Sequence, residues 1–143
     1  MNSIKVEAKK AIKSVDQLEL SPFFKLPCLS LKESLLDTNK TGIIAEFKRK
    51  SPSKGIINNT ATIQEVTQAY TQFGAAGISV LTDELFFGGS LADLEAATFN
   101  QIPLLRKDFM IEEYQIIEAK ASGASVILLI AACLTPKQVK EMT

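Results

Sequence analysis

The 143-residue sequence contains no histidine and only two cysteines, Cys28 and Cys133, which lie far apart with no paired spacing. Without imidazole or closely spaced thiols, neither a zinc site nor a histidine-based catalytic triad can be assembled. An excess of either charge is also missing: 16 Lys and Arg balance 16 Asp and Glu, and the pI is about 6.3. That balance argues against the broad basic footprint of a nucleic-acid binder. Long apolar runs are lacking too, because the longest, from Val126 to Leu134, is too short to span a bilayer. The opening MNSIKVEAKKAIK is charged and holds no apolar segment of the kind a secretory signal needs. These absences set the expectation of a soluble, reduced, cytoplasmic protein with neither membrane nor nucleic acid as partner.

What remains is a chain that is 46% hydrophobic, enough to build one core at this length. Residues 3 to 14 read as a polar, lysine-rich helix, and Ser30 suits the N-cap of a second helix reaching about Leu36. The two prolines of SPFFKLPCLS make the segment between them a loop, with Phe23 and Phe24 packed against something. After Gly42 the pattern changes to short apolar runs, each followed by a polar loop and an amphipathic stretch. Strands are predicted at 43 to 48, 77 to 82, 102 to 106 and 125 to 131. Helices are predicted from Thr62 to Phe73, Ser90 to Phe99 and Glu112 to Ser122, with another opening at Thr135 and Pro136. Thr62 with Glu65 makes a capping box, and Ser90 with Asp93 a weaker analogue.

Runs such as ISVLT and SVILLIA are apolar nearly throughout, as strands covered on both faces must be, and this points to a parallel sheet. Tight turns, GAAG at 74 to 77 and SGA at 122 to 124, look like two copies of one βα unit. Four such units suggest an α/β fold, either doubly wound or part of a (β/α)8 barrel. Both architectures bind ligands at the carboxyl ends of the strands. There the first predicted strand carries Glu46 and Lys48, the second Thr82, Asp83 and Glu84, and the third Arg106, Lys107, Asp108 and Phe109. Alternation puts Glu46 and Lys48 on one face and Phe47 on the other. Arg49 and Lys50 begin the loop. No GxGxxG or Walker sequence follows the first strand, which weakens a nucleotide-binding, doubly wound alternative.

AEFKRKSPSKG, LTDELFFGGS and LLRKDFMIEEYQI, in that order and at those spacings, resemble indole-3-glycerol-phosphate synthase, a (β/α)8 barrel with an N-terminal helical extension. The resemblance implies an extension over 1–40 and the first four βα units of a barrel over 41–143. It implies a ring closure of 1-(2-carboxyphenylamino)-1-deoxyribulose 5-phosphate, with loss of CO2 and water, to indole-3-glycerol phosphate in tryptophan biosynthesis. By the same resemblance Lys107 is the general acid, Lys48 holds the anionic substrate, and Glu46 supports catalysis. Ser51 and Pro52 line the mouth, and Phe87, Phe109 and Leu128 form the wall for the anthranilate ring. No metal and no organic cofactor is implied.

The chemistry of the residues is compatible with those roles. Ring closure builds negative charge on a carbonyl oxygen, which needs a cationic proton donor within hydrogen-bond reach. A lysine supplies both, and a neighbouring Lys48 would press on Lys107 while Glu46 and Asp108 limit that pressure. The bland reading is that such charges form a solvated strand-end rim, that Glu46 is only an ion-pair partner, and that Phe87 and Phe109 are core aromatics. Asp83 and Glu84 read as loop charges. SPSKG reads as a lid or a turn, and the paired glycines of FGGS read as flexible or as an approach for a ligand. A different barrel enzyme, using Lys107 as a Schiff-base nucleophile, is a further alternative.

Barrels of this kind typically run to about 250 residues, so the sequence is expected to be a first half, truncated in its fourth helix. The family's later general-base glutamate, its asparagine and arginine contacts and its phosphate-binding glycines and serines have no counterparts here. Little or no turnover by this chain alone is therefore expected. Unpaired strand edges invite association, so the alternative is a non-catalytic half-barrel that forms homodimers.

Overall fold

The computed structural model describes residues 2–143. Three helices open it: α1 (Asn2–Ile12), α2 (Val15–Glu19) and α3 (Leu31–Leu36). The stretch predicted as one helix to residue 14 breaks earlier because Ser14 caps α2, its hydroxyl accepting from Gln17 N while the Gln17 side chain returns to Ser14 N. A cap needs a non-helical residue, so α1 cannot run through it. Ser30 caps α3 as the sequence predicts.

Four parallel strands follow, β1 (Ile44–Phe47), β4 (Gly77–Leu81), β5 (Leu104–Lys107) and β6 (Val126–Ile127), paired in the order in which the chain makes them. Helices α4 (Ile63–Gln72), α6 (Leu91–Ala96) and α7 (Glu113–Ala121) connect them, and α8 (Pro136–Glu141) comes last. This is an α/β sheet of successive βα units, consistent with part of a (β/α)8 barrel. The capping box of Thr62 and Glu65 is formed, and so is one joining Glu112 to Gln115 at the start of α7. Ser90 caps α6, which is shorter than predicted and gives way to a 3-10 turn over Thr98–Asn100.

Three local departures touch the strand ends. SPSKG is neither free lid nor plain turn: it closes an antiparallel hairpin of β2 (Lys50–Ser51) and β3 (Gly55–Ile56). Asp83 and Glu84 are not loop charges, since Asp83 caps a helical turn, α5 (Glu84–Phe87), and is itself buried. The predicted strand over 125 to 131 shrinks to two laddered residues, because β6 has β5 on one side only and the chain coils into a 3-10 turn over Ala131–Cys133.

Register decides which side chains meet. Ala45, Ile78 and Leu104 align, as do Phe47, Val80, Arg106 and Ile127. Apart from Arg106, these enter the core with Ile63, Leu94, Ala97 and Ala119 from the helices. Burying such side chains stabilises by roughly 1.5–3 kcal/mol each. The alternate row, Glu46, Ser79, Leu105 and Val126, with Lys107 beside Leu81, belongs to the opposite face. A second cluster, Val6, Leu18, Tyr114 and Ala121 with Phe24, fastens the N-terminal helices to α7. Among the described residues, no helix is long and apolar enough to cross a membrane.

Candidate active site

Strand alternation aims Glu46 and Lys48 away from the helices, while Phe47 between them is 6% exposed and fills the core. Lys48 Nζ donates to Glu46 Oε1 at 3.0 Å. From β5, two strands away, Lys107 Nζ donates to Glu46 Oε2 at 3.3 Å. One carboxylate thus stands between two ammonium groups on the open face of the sheet, with Glu46 and Lys107 half-buried and Lys48 exposed. Burial pushes the Glu46 carboxyl up, but the Lys48 hydrogen bond and the Lys107 charge and hydrogen bond outweigh it and hold the group below its usual value.

Two residues that the strand-end reading passed over complete this cluster. Ser79 Oγ reaches Glu46 Oε2 at 3.4 Å, and the Tyr70 hydroxyl donates to the Glu46 carbonyl at 3.1 Å. Ser79 left a signal in the sequence: it is the one polar side chain in the run GISVL. Asp108, expected to temper the lysines, lies elsewhere. It accepts from Thr82 Oγ1 at 2.7 Å and from Arg106 at 3.1 Å, because its position in the chain returns it to the side that Arg106 occupies.

The loop after β1 is anchored by Arg49. Its guanidinium makes two bonds to Asp93, at 2.5 and 2.8 Å, and lies 4.9 Å from the centre of the Phe47 ring. Asp93 also accepts from Ser90 Oγ, so the start of α6 and the end of β1 are held together. Ser51 organises the hairpin turn, its hydroxyl accepting from Lys54 N at 3.2 Å and lying 3.4 Å from Ser53 Oγ. Pro52 is exposed. FGGS has a local explanation. Gly88 is left-handed at φ 65° and ends α5, and a Cβ on Gly89 would sit 1.9 Å from the Leu81 carbonyl oxygen. The close approach is to the chain's own strand.

Phe109 lines a cavity of about 460 Å³ between α1 and the ends of β4 and β5, beside Thr82, Asp83, Gly89, Asp108 and Gln115. Phe87, at the end of α5, and Leu128, just past β6, are half-buried and are not among its lining residues. The three apolar residues therefore do not meet in that cavity, and Glu46, Lys48 and Lys107 stand on an open face outside it. Chemically, the cluster offers two ammonium groups for an anionic ligand and a carboxylate that fixes both.

A family model described as indole-3-glycerol phosphate synthase matches residues 1–143. An indole-3-glycerol phosphate synthase of Bacteroides thetaiotaomicron is 43% identical over 138 residues, covering 96% of this chain and 53% of that protein. Its counterpart from Leptospira interrogans is 50% identical over 114 residues, covering 79% and 45% respectively. That from Carboxydothermus hydrogenoformans is 48% identical over 122 residues, covering 82% and 46%. The chain spans about half the length of the curated relatives it matches.

Proposed function

The chain belongs to the indole-3-glycerol phosphate synthase family, and from that premise we propose that it carries the proton-donor side of an active site that closes the indole ring. The observation that carries this reading is the Glu46 carboxylate holding Lys48 and Lys107 together at the carboxyl ends of parallel strands. In the proposed reaction the anthranilate ring carbon that bears the carboxylate attacks the ketone carbon of 1-(2-carboxyphenylamino)-1-deoxyribulose 5-phosphate. Lys107 gives its proton to the ketone oxygen as that carbon–carbon bond forms. Carbon dioxide leaves and its bonding pair returns to the ring, which becomes aromatic again, and the new hydroxyl departs as water together with one hydrogen of the neighbouring CH2 carbon. Lys48 offers its charge to the substrate's anionic groups, and Glu46 holds both ammonium groups in place.

In the proposal Ser51 and Pro52 form the mouth of the site, and Phe87, Phe109 and Leu128, from three separate segments, are the contacts to the anthranilate ring. A small anionic sugar phosphate bearing an anthranilate is the ligand, and the reduced state of Cys28 and Cys133 goes with a cytoplasmic setting. The test joins residues 1–143 to the C-terminal half of the Bacteroides thetaiotaomicron relative and follows product fluorescence. Lys107→Met should lower the rate by about 10²–10⁴-fold, the range of general acid catalysis. A rate within a few-fold of the parent would refute the assignment.

A second reading, self-association, is favoured by a specific feature: β1 and β6 end the four-stranded sheet with one neighbour each. Parallel edges of two copies would then pair. Light scattering of the 143-residue chain tests this, a dimer supporting it and a monomer at high concentration excluding it.

A further inference from the structure

Arg106 is 0% exposed and is the bulkiest fully buried side chain among the described residues. A buried guanidinium is tolerable only when its donors and its charge are matched. Here Nε donates to Thr82 Oγ1 at 3.1 Å, one terminal nitrogen to the Gln115 carbonyl at 2.9 Å, and the other to Asp108 at 3.1 Å and to Glu118 at 2.8 Å. Two carboxylates exceed one guanidinium by a single charge. Lys9 of α1 supplies the balance, 3.3 Å from the same Glu118 oxygen.

The Asp108 contact differs in kind from the others. Glu118 and Gln115 tie the sheet to α7, a packing role. Asp108 is two residues from Arg106, so this ion pair straddles Lys107 on the helix-facing side of β5. The loop beyond is fastened as well: Phe109 N donates to Asp108 Oδ1 at 2.8 Å, and the Gln115 amide takes Ile111 N at 2.8 Å while donating to the Phe109 carbonyl at 2.9 Å. With both neighbours of Lys107 tied outward, alternation leaves its side chain one direction, toward Glu46.

We propose that Arg106 is a positioning residue for Lys107, acting through Asp108 to hold the Lys107 ammonium over the Glu46 carboxylate. Its importance for turnover rests on the reading of Lys107 as proton donor; its geometry does not. A guanidinium suits the task because its planar fork reaches Thr82, Asp108, Gln115 and Glu118 at once, which an ammonium cannot.

The experiment reads the Lys107–Glu46 contact without turnover. Lysines of the chain are 13C-methylated, the Lys107 signal is assigned by its loss in Lys107→Arg, and its chemical shift at pH 7 is compared with and without Glu46→Gln. In the parent, Glu46→Gln should displace the Lys107 methyl resonance, because the carboxylate 3.3 Å from the ammonium is gone. In Asp108→Ala, which leaves Arg106 its bonds to Gln115 and Glu118, the Glu46 dependence should vanish. Asp108→Asn, which keeps an acceptor for Arg106, should restore it in part. If Asp108→Ala does not fold, Arg106→Lys gives the same reading, because it keeps the charge and loses the fork. An undiminished Glu46 dependence in either folded variant would reduce Arg106 to a packing residue. An unchanged rate in Lys107→Met would instead sink the functional reading and leave this one standing.

Discussion

The Lys107 ammonium lies 3.3 Å from the Glu46 carboxylate although 61 residues and the whole of β4 separate them. The contact exists because parallel register aligns Glu46 with Ser79, and Leu81 with Lys107, so both side chains rise from the same face of the sheet. Between the strands stands Ser79, small enough to let them meet and polar enough to share the carboxylate. Glu46 is the group that both lysines contact.

Removing the charge of Glu46 should therefore carry a pH signature. Its carboxyl is held below the ordinary value of 4.5 in the folded chain. A group with a depressed folded pKa contributes stability that is present above the unfolded pKa and is lost as pH falls through the folded one. Glu46→Gln should thus be less stable than the parent at pH 7, by less than about 1 kcal/mol because the pairs are part-exposed. The gap should close as pH drops below about 4. Denaturant melts at several pH values check this, and a gap that widened in acid would contradict the ion-pair account.

Gly89 should tolerate no side chain. The Cβ of an alanine would meet Leu81 O at 1.9 Å and the Leu81 carbonyl carbon at 2.5 Å, both rigid backbone atoms of a core strand. Forcing them apart should cost about 1–3 kcal/mol or more. Gly89→Ala should melt measurably earlier in a thermal scan, whereas Gly55→Ala, with open space around it, should suffer mainly from its positive φ.

The hairpin after β1 should depend on Arg49. Arg49→Met removes the two bonds to Asp93 together with the guanidinium that lies over Phe47. Hydrogen bonds to charged groups contribute about 1.5–3 kcal/mol each at most, so amide exchange at Ile57 and Asn58, both bonded to the Arg49 carbonyl, should speed by roughly tenfold or more. Exchange in α7, far along the chain, should not change.

Much of this architecture was legible because it follows from short-range rules. The apolar runs around Ile78 and Leu104, the caps at Thr62 and Ser90, and the inward register of Glu46 and Lys48 all follow from spacing alone. What escaped depended on partners distant in sequence. Asp83 looked like a loop charge because nothing nearby announces a single helical turn that its own carboxylate caps. The apolar run from Val126 has strand composition, but composition does not say that only β5 will flank it. Asp108 follows Lys107 in the chain yet faces the other way, toward an arginine whose burial no periodicity reveals. The proposed ring contacts Phe87, Phe109 and Leu128 rest on motif resemblance, and the structure sets them on three separate segments, with Phe109 alone of the three lining the cavity of about 460 Å³.

The central claim is that the two lysines divide the labour, Lys107 giving a proton and Lys48 holding charge. Steady-state kinetics of the chimera that joins residues 1–143 to a relative's C-terminal half tests it most directly, comparing Lys107→Met with Lys48→Met. The account predicts that Lys107→Met lowers kcat by about 10²-fold or more, whereas Lys48→Met acts mainly by raising KM. Equal losses in kcat from both, or a larger one from Lys48→Met, would contradict it.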